Sequence, residues 1–311
     1  GLIGAFWQIE KPYYTFTLFA SPFFVPDQGP SFAIKDGSFV KGNPWFRQPP
    51  ESIRIWNEAT AIDYNLEQPN ESQIVLHNSF ALKLAFGDVQ GLHGQVAYSY
   101  KPSNQLAIGY EGYLNTTELR GAVNLQPQVF YHSLGGLDLA YRYHNWKWGV
   151  SGMWDRPTRE EIFEEKWTHP VFEEAVLVSP FMEWNNGRWG VSLQHMEIFN
   201  GDVHEEGDLA SDDRAPLMTR YPYRQAQQVA LMYSGSFAKT RRWTGKVSYT
   251  HSQKNDFDLI RISSRLTLSR WWALMAEAQL VKAGELSVEN QNEIAQYVNN
   301  DRLMAGVAYV F

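Results

Sequence analysis

Side-chain polarity alternates with a period of two residues along most of this chain, which restricts it to extended strands with one apolar and one polar face. From Ile74 to Phe86 the even positions carry Ile74, Leu76, Phe80, Leu82, Leu84 and Phe86, with Asn78 the exception. His77, Ser79, Ala81 and Lys83 take the odd positions. Leu137, Leu139, Tyr141 and Tyr143 alternate in the same way with Asp138, Ala140 and Arg142, and Ile260, Ile262, Leu266 and Leu268 with Arg261, Ser263, Arg265 and Thr267.

The pattern predicts about fourteen strands: 12-20, 74-87, 92-101, 105-114, 122-132, 136-145, 147-154, 173-184, 188-198, 225-236, 241-252, 257-269, 270-282 and 299-311. Residues 1-9 stay unassigned. Strands alternate in direction, so the connections fall into two groups. One end has short links at 88-91, 115-121, 146, 185-187, 237-240 and near Ser269 and Arg270. All the long connections, 21-73, 155-172, 199-224 and 283-298, fall on the other end. Short turns on one rim and long loops on the other are the rule for outer-membrane barrels.

Composition narrows the class. With no Cys, a disulfide framework, a thiolate nucleophile and a cysteine-held metal are all excluded. A net charge of -7 without a Lys/Arg cluster argues against a nucleic-acid partner. No run of apolar residues is long enough for a helical membrane span. No basic region precedes Leu2 to Trp7, so the numbering is expected to start on a processed or truncated chain. The 12 Trp, 16 Tyr and 18 Phe would each need an interior partner for any polar tip in a dry sandwich core. Around a barrel they can sit at headgroup level, and Trp146, Trp148, Trp184, Trp189, Trp243, Trp271 and Trp272 lie near predicted strand ends. Lipid admits only closed sheets, and about fourteen strands enclose more space than their side chains fill.

Leu303, Ala305, Val307, Tyr309 and Phe311 alternate and finish on an aromatic residue. This resembles the C-terminal signature of Gram-negative outer-membrane β-barrel proteins. The resemblance implies an outer-membrane location, with outer-membrane lipids as surroundings. It also implies that Val307, Tyr309 and Phe311 form the signal read by the barrel-assembly machinery during biogenesis. The expectation is an all-β, closed antiparallel transmembrane barrel of about 14 strands (12 to 16), with short periplasmic turns and long extracellular loops, forming a single domain over 1-311.

Several candidate sites follow. The polar positions Lys83, Lys101, Glu111, Asp138, Arg142, Arg242, Lys246, Arg261, Arg265 and Glu277 are expected to line the lumen, where they either bias ion passage or pair across it. Segment 21-73 holds seven of the 15 prolines and is expected to be a long loop, acting as a lid or as a docking surface through Phe23, Phe24, Trp45 and Phe46. Two connections are acidic, with Asp155, Glu160, Glu161, Glu164, Glu165, Glu173 and Glu174 in one and Asp202, Glu205, Glu206, Asp208, Asp212 and Asp213 in the other. Such oxygen clusters suit Ca²⁺, although charge runs are usually solvated faces, and no cofactor is otherwise expected. His169, His195, His204 and His251 sit in no recognised catalytic context, so the chain is not expected to be an enzyme. Two functions stand: a channel or transporter for small polar solutes or a hydrophilic polymer, gated by 21-73, and an anchor or scaffold subunit of a multi-protein envelope complex.

Overall fold

A computed structural model describes residues 2–26, 32–41, 49–55, 58–67, 69–88, 90–104, 106–117, 120–158, 166–205, 218–221, 224–238, 241–254, 256–284 and 301–309. Thirteen strands form one antiparallel sheet in sequence order: Leu2–Lys11, Tyr14–Phe24, Ser79–Gly87, Gly91–Pro102, Tyr131–Tyr143, Trp146–Pro157, Ala175–Asn185, Trp189–Asn200, Gln225–Ala238, Arg241–Ser252, Phe257–Thr267, Trp272–Ala283 and Arg302–Tyr309. Among the described residues no ladder joins the first strand to the last. With an odd number of antiparallel strands the first and last run the same way, so pairing them directly would make a parallel ladder.

The register keeps the two faces separate across strand after strand. Leu18, Leu82 and Tyr98 lie opposite one another, as do Val191, Leu231, Val247 and Ile262. These belong to an apolar face whose large side chains remain well exposed. The other face carries Lys83, Gln95, Asp138, Ser151, Glu183 and Ser192. A slip of one residue in any ladder would mix the two faces, so the alternating sequence itself fixes the register.

One end of the sheet has only short turns. Beside it, on the apolar face, Tyr141, Trp148, Trp189, Tyr233, Trp243, Trp272 and Tyr309 form an aromatic belt. Its rings touch across strands, with centroids 5.9 Å apart for Tyr141 and Trp148, 4.7 Å for Trp189 and Tyr233, and 4.7 Å for Trp272 and Tyr309.

At the opposite end the long connections fold together into a cap. Strands Ser52–Ile55, Glu58–Leu66, Arg120–Gln128 and Ala107–Asn115 make a separate four-stranded sheet, with Glu58–Leu66 and Arg120–Gln128 parallel. Of two strands expected in the barrel, 105-114 and 122-132, the parts within Ala107–Asn115 and Arg120–Gln128 therefore belong to the cap, while Tyr131 and His132 open a strand of the large sheet. Of residues 1-9, left unassigned, those described, 2-9, lie in the first strand of the large sheet, which has thirteen strands among the described residues against the 12 to 16 expected. Alternation reports that a strand has two unlike faces, not which sheet it pairs in; only the ladder with Glu58–Leu66 puts Arg120–Gln128, and with it Ala107–Asn115, in the cap. Segment 21-73 is likewise more than a loop. It completes the strand ending at Phe24, forms the hairpin Phe32–Lys35 with Ser38–Lys41, adds two cap strands and includes the short helix Glu71–Val75.

The cap has its own apolar centre, where fully buried Trp167 packs with Ala107 and Phe130, and Phe172 stacks on Phe130 at 4.3 Å. Trp167→Ala is expected to cost about 3–5 kcal/mol of cap stability, as large cavities do. Hydrogen exchange at Ala107–Asn115 should accelerate while the wall strands keep their protection.

Candidate functional site

Two cavities lie along the polar face. The first, about 670 Å³, has Gln95, Asp138, Arg142, Lys147, Glu183 and Lys246 among its walls. The second, about 610 Å³, is lined by Lys246, Ser263, Arg265 and Glu277. Lys246 borders both, so the polar lining runs continuously from Gln95 to Glu277. The charges of the two signs are interleaved: Arg261 Nε pairs with Glu277 at 3.2 Å, and the neutral Gln95 amide donates Nε2 to Asp138 at 2.5 Å. Arg242 donates to Ser234 Oγ at 2.9 Å, and Lys147 lies 4.9 Å above the Phe181 ring.

Of the positions expected to line a lumen, Lys83, Lys101, Asp138, Arg142, Arg242, Lys246, Arg261, Arg265 and Glu277 stand on the polar face of the large sheet. Glu111 does not, because its strand belongs to the cap sheet. Phe23 is exposed and Phe24 is buried, so Phe24 presents nothing to a partner. Trp45, Phe46 and Phe311 lie outside the described residues, as do Glu160, Glu161, Glu164, Glu165, Glu206, Asp208, Asp212 and Asp213. Val307 and Tyr309 are exposed on the last strand.

Where the polar face meets the cap, Asp155 gathers a buried ionic knot. His132 Nδ1 lies 2.9 Å from Asp155 Oδ1, while Arg220 Nη2 and Tyr221 Oη donate to Oδ2 at 2.5 and 2.9 Å. His132 and Asp155 come from adjacent wall strands, whereas Arg220 and Tyr221 arrive from the connection 201-224. Arg220 also donates to the Glu173 carbonyl at 2.9 Å. Burial first, then the Asp155 charge, pushes the Tyr221 phenol well above its ordinary value, so it stays a proton donor throughout the physiological range. Gly201, at φ 85°, makes the close approach possible: a Cβ there would lie 3.0 Å from Ala175 Cβ and 3.3 Å from the Tyr221 ring.

Next to the knot the two acidic connections meet. Glu173, Asp202 and His204 bring one ligand atom each to within 4.8 Å of one another. Carboxylate oxygens suit a hard cation such as Ca²⁺. Asp202, however, already pairs with Arg224, and His204 Nε2 lies 3.1 Å from Glu173. The group is therefore substantially charge-compensated by protein alone.

Sequence reasoning did not find the knot. Asp155 stood out only as one member of an acidic run, and Arg220 and Tyr221 had no pattern to mark them. A carboxylate at the polar register of a strand end was the available signal. Its partner 65 residues further on has no local signature. The remaining histidines divide by place: His169 Nδ1 contacts the Trp167 carbonyl in the cap, while His195 and His251 stand on the apolar face.

No protein-family model and no curated protein matches the chain. Among solved structures it is similar to the outer membrane phospholipase of Salmonella typhi, solved as a dimer with bound calcium. The two are 13% identical over 77% of this chain and 80% of that one, with a TM-score of 0.29. The similarity is to an outer-membrane protein, but at that TM-score it fixes neither closure nor strand number. It does correct one expectation. The matched protein is an enzyme, which stands against the expectation that this chain is not one.

Proposed function

We propose that this chain forms the wall of an outer-membrane barrel and acts as a channel or transporter for small polar solutes or a hydrophilic polymer. The single observation that carries this reading is the register-matched division of faces across thirteen strands. In water an apolar face of this extent would drive association; in hydrocarbon it is the favourable surface. The aromatic belt then lies at the headgroup level of the short-turn rim. The polar face encloses the path, and its interleaved charges suit polar solutes without imposing one sign. Closure needs either a parallel ladder between the first and last strands or a further strand between them. The gate is the cap, to which segment 21-73 contributes two strands of the four-stranded sheet and connection 201-224 contributes the residues held on Asp155.

Planar-bilayer recording tests this. The purified protein is expected to give stepwise conductance, with longer open times once the residues between Gly201 and Arg224 are replaced by a short linker. A protein that inserts but gives no conductance in either form would refute the channel.

A further inference from the structure

On the apolar face a polar row crosses five strands in register. His195 lies opposite Gln227, Gln227 opposite His251, His251 opposite Asp258, and Asp258 opposite Lys282. The row immediately towards the short-turn end is Leu193, Val229, Tyr249, Ile260 and Leu280, and the next is Val191, Leu231, Val247, Ile262 and Ala278. The apolar band is therefore narrow here. From Trp189 in the belt to His195 is six residues, about 20 Å along the strand and less across a tilted wall. A barrel's apolar band is about 25 Å tall. The strand Ala175–Asn185, one ladder away, stays apolar on this face through Met182, Pro180, Val178 and Val176. The polar row is thus a local intrusion into the band.

The row borders a groove of about 1110 Å³ on the same face. Leu139, Val150, Leu193 and Val229 form its apolar wall, and His195, Gln227 and His251 its polar end. Pro180 also lines it and cannot donate to the ladder; Ser179 Oγ instead donates to the His195 carbonyl at 2.9 Å. This ties His195 to the strand Ala175–Asn185, while its ladder on the other side pairs it with Gln227. Asp258 Oδ1 accepts from Tyr249 Oη at 2.6 Å and lies 2.9 Å from His251 Nδ1, which orients the imidazole. In the imidazolium form Nε2–H then remains for a ligand, beside the Gln227 amide. His195 lies 3.5 Å from Glu197, which also pairs with Lys254.

Polar groups at a lipid-facing position are costly unless something polar meets them. Donors from two imidazoles and an amide match phosphate oxygens, and the adjoining groove matches hydrocarbon. We infer that the groove holds one phospholipid of the surrounding leaflet, its phosphate on His195, Gln227 and His251 and an acyl chain along Leu139, Val150, Leu193 and Val229. The inference rests on the reading that the apolar face meets lipid.

The test uses the full chain in detergent with phosphatidylethanolamine added, read by native mass spectrometry, and a parallel flotation assay with vesicles of the same lipid. The protein should retain one phosphatidylethanolamine. The variant His195→Leu/Gln227→Leu/His251→Leu should retain about ten-fold less, the effect of one charge-assisted hydrogen bond. Equal retention by both would overturn the headgroup site, and so would equal retention of diacylglycerol with the same chains. Millimolar inorganic phosphate should leave retention unchanged; displacement would assign the site to a free anion and overturn the lipid. If the triple variant loses its β-sheet circular dichroism, His251→Gln alone replaces it, with a smaller loss expected and unchanged retention overturning the site. Failure to float with vesicles would instead overturn the underlying membrane reading.

Discussion

Asp155→Ala is expected to weaken the attachment of connection 201-224 by about 3–5 kcal/mol, because it leaves the Arg220 cation buried without its carboxylate. Arg220 and Asp155 are both at least nine-tenths buried, so solvent cannot replace the lost partner. Tyr221 loses its acceptor in the same step. An equilibrium shift of that size is about two to four orders of magnitude. It should appear as rapid proteolysis near Arg220 and as a longer-lived open state in bilayers. Asp155→Asn keeps an acceptor for Tyr221 and should show a smaller change in the same direction. Unchanged proteolysis in Asp155→Ala would mean that the knot does not hold the connection.

Placing arginine at Leu231 is expected to destabilise the protein in lipid vesicles by about 2–4 kcal/mol, the cost of a cation near the bilayer midplane. Leu231 lies between the aromatic belt at Tyr233 and the polar row at Gln227, and it is 48% exposed. Arginine at Ser263, on the polar face two ladders away, should change stability by about 0.5 kcal/mol or less. Urea unfolding from vesicles measures both. The reverse order would turn the wall inside out and remove the channel with it.

Much of the wall was legible because its information is local. In Ser79–Gly87 or from Leu137 to Tyr143 the side chains' polarity states which face each takes, and neighbouring strands repeat the statement. The asymmetry of the connections was legible for the same reason, since direction alternates with each strand. The strands Ala107–Asn115 and Arg120–Gln128 were misplaced because their alternation is just as regular; only their pairing with Glu58–Leu66 puts them in the cap. The Asp155 knot was illegible because each partner looks ordinary where it stands. The polar row was partly visible as isolated polar residues, but its meaning lies in four successive ladders that align His195 with Lys282.

The sequence by itself determined that the chain forms two-faced strands, which side of each strand is oily, and that its long connections gather at one end. Period two is a property of the backbone and needs no distant contact. The tertiary structure alone decided which strands join the wall and which the cap, where Arg220 meets Asp155, and where the polar row interrupts the apolar band. Those features depend on pairing between residues far apart in the chain, and such pairing is set by packing and by the balance of buried charge.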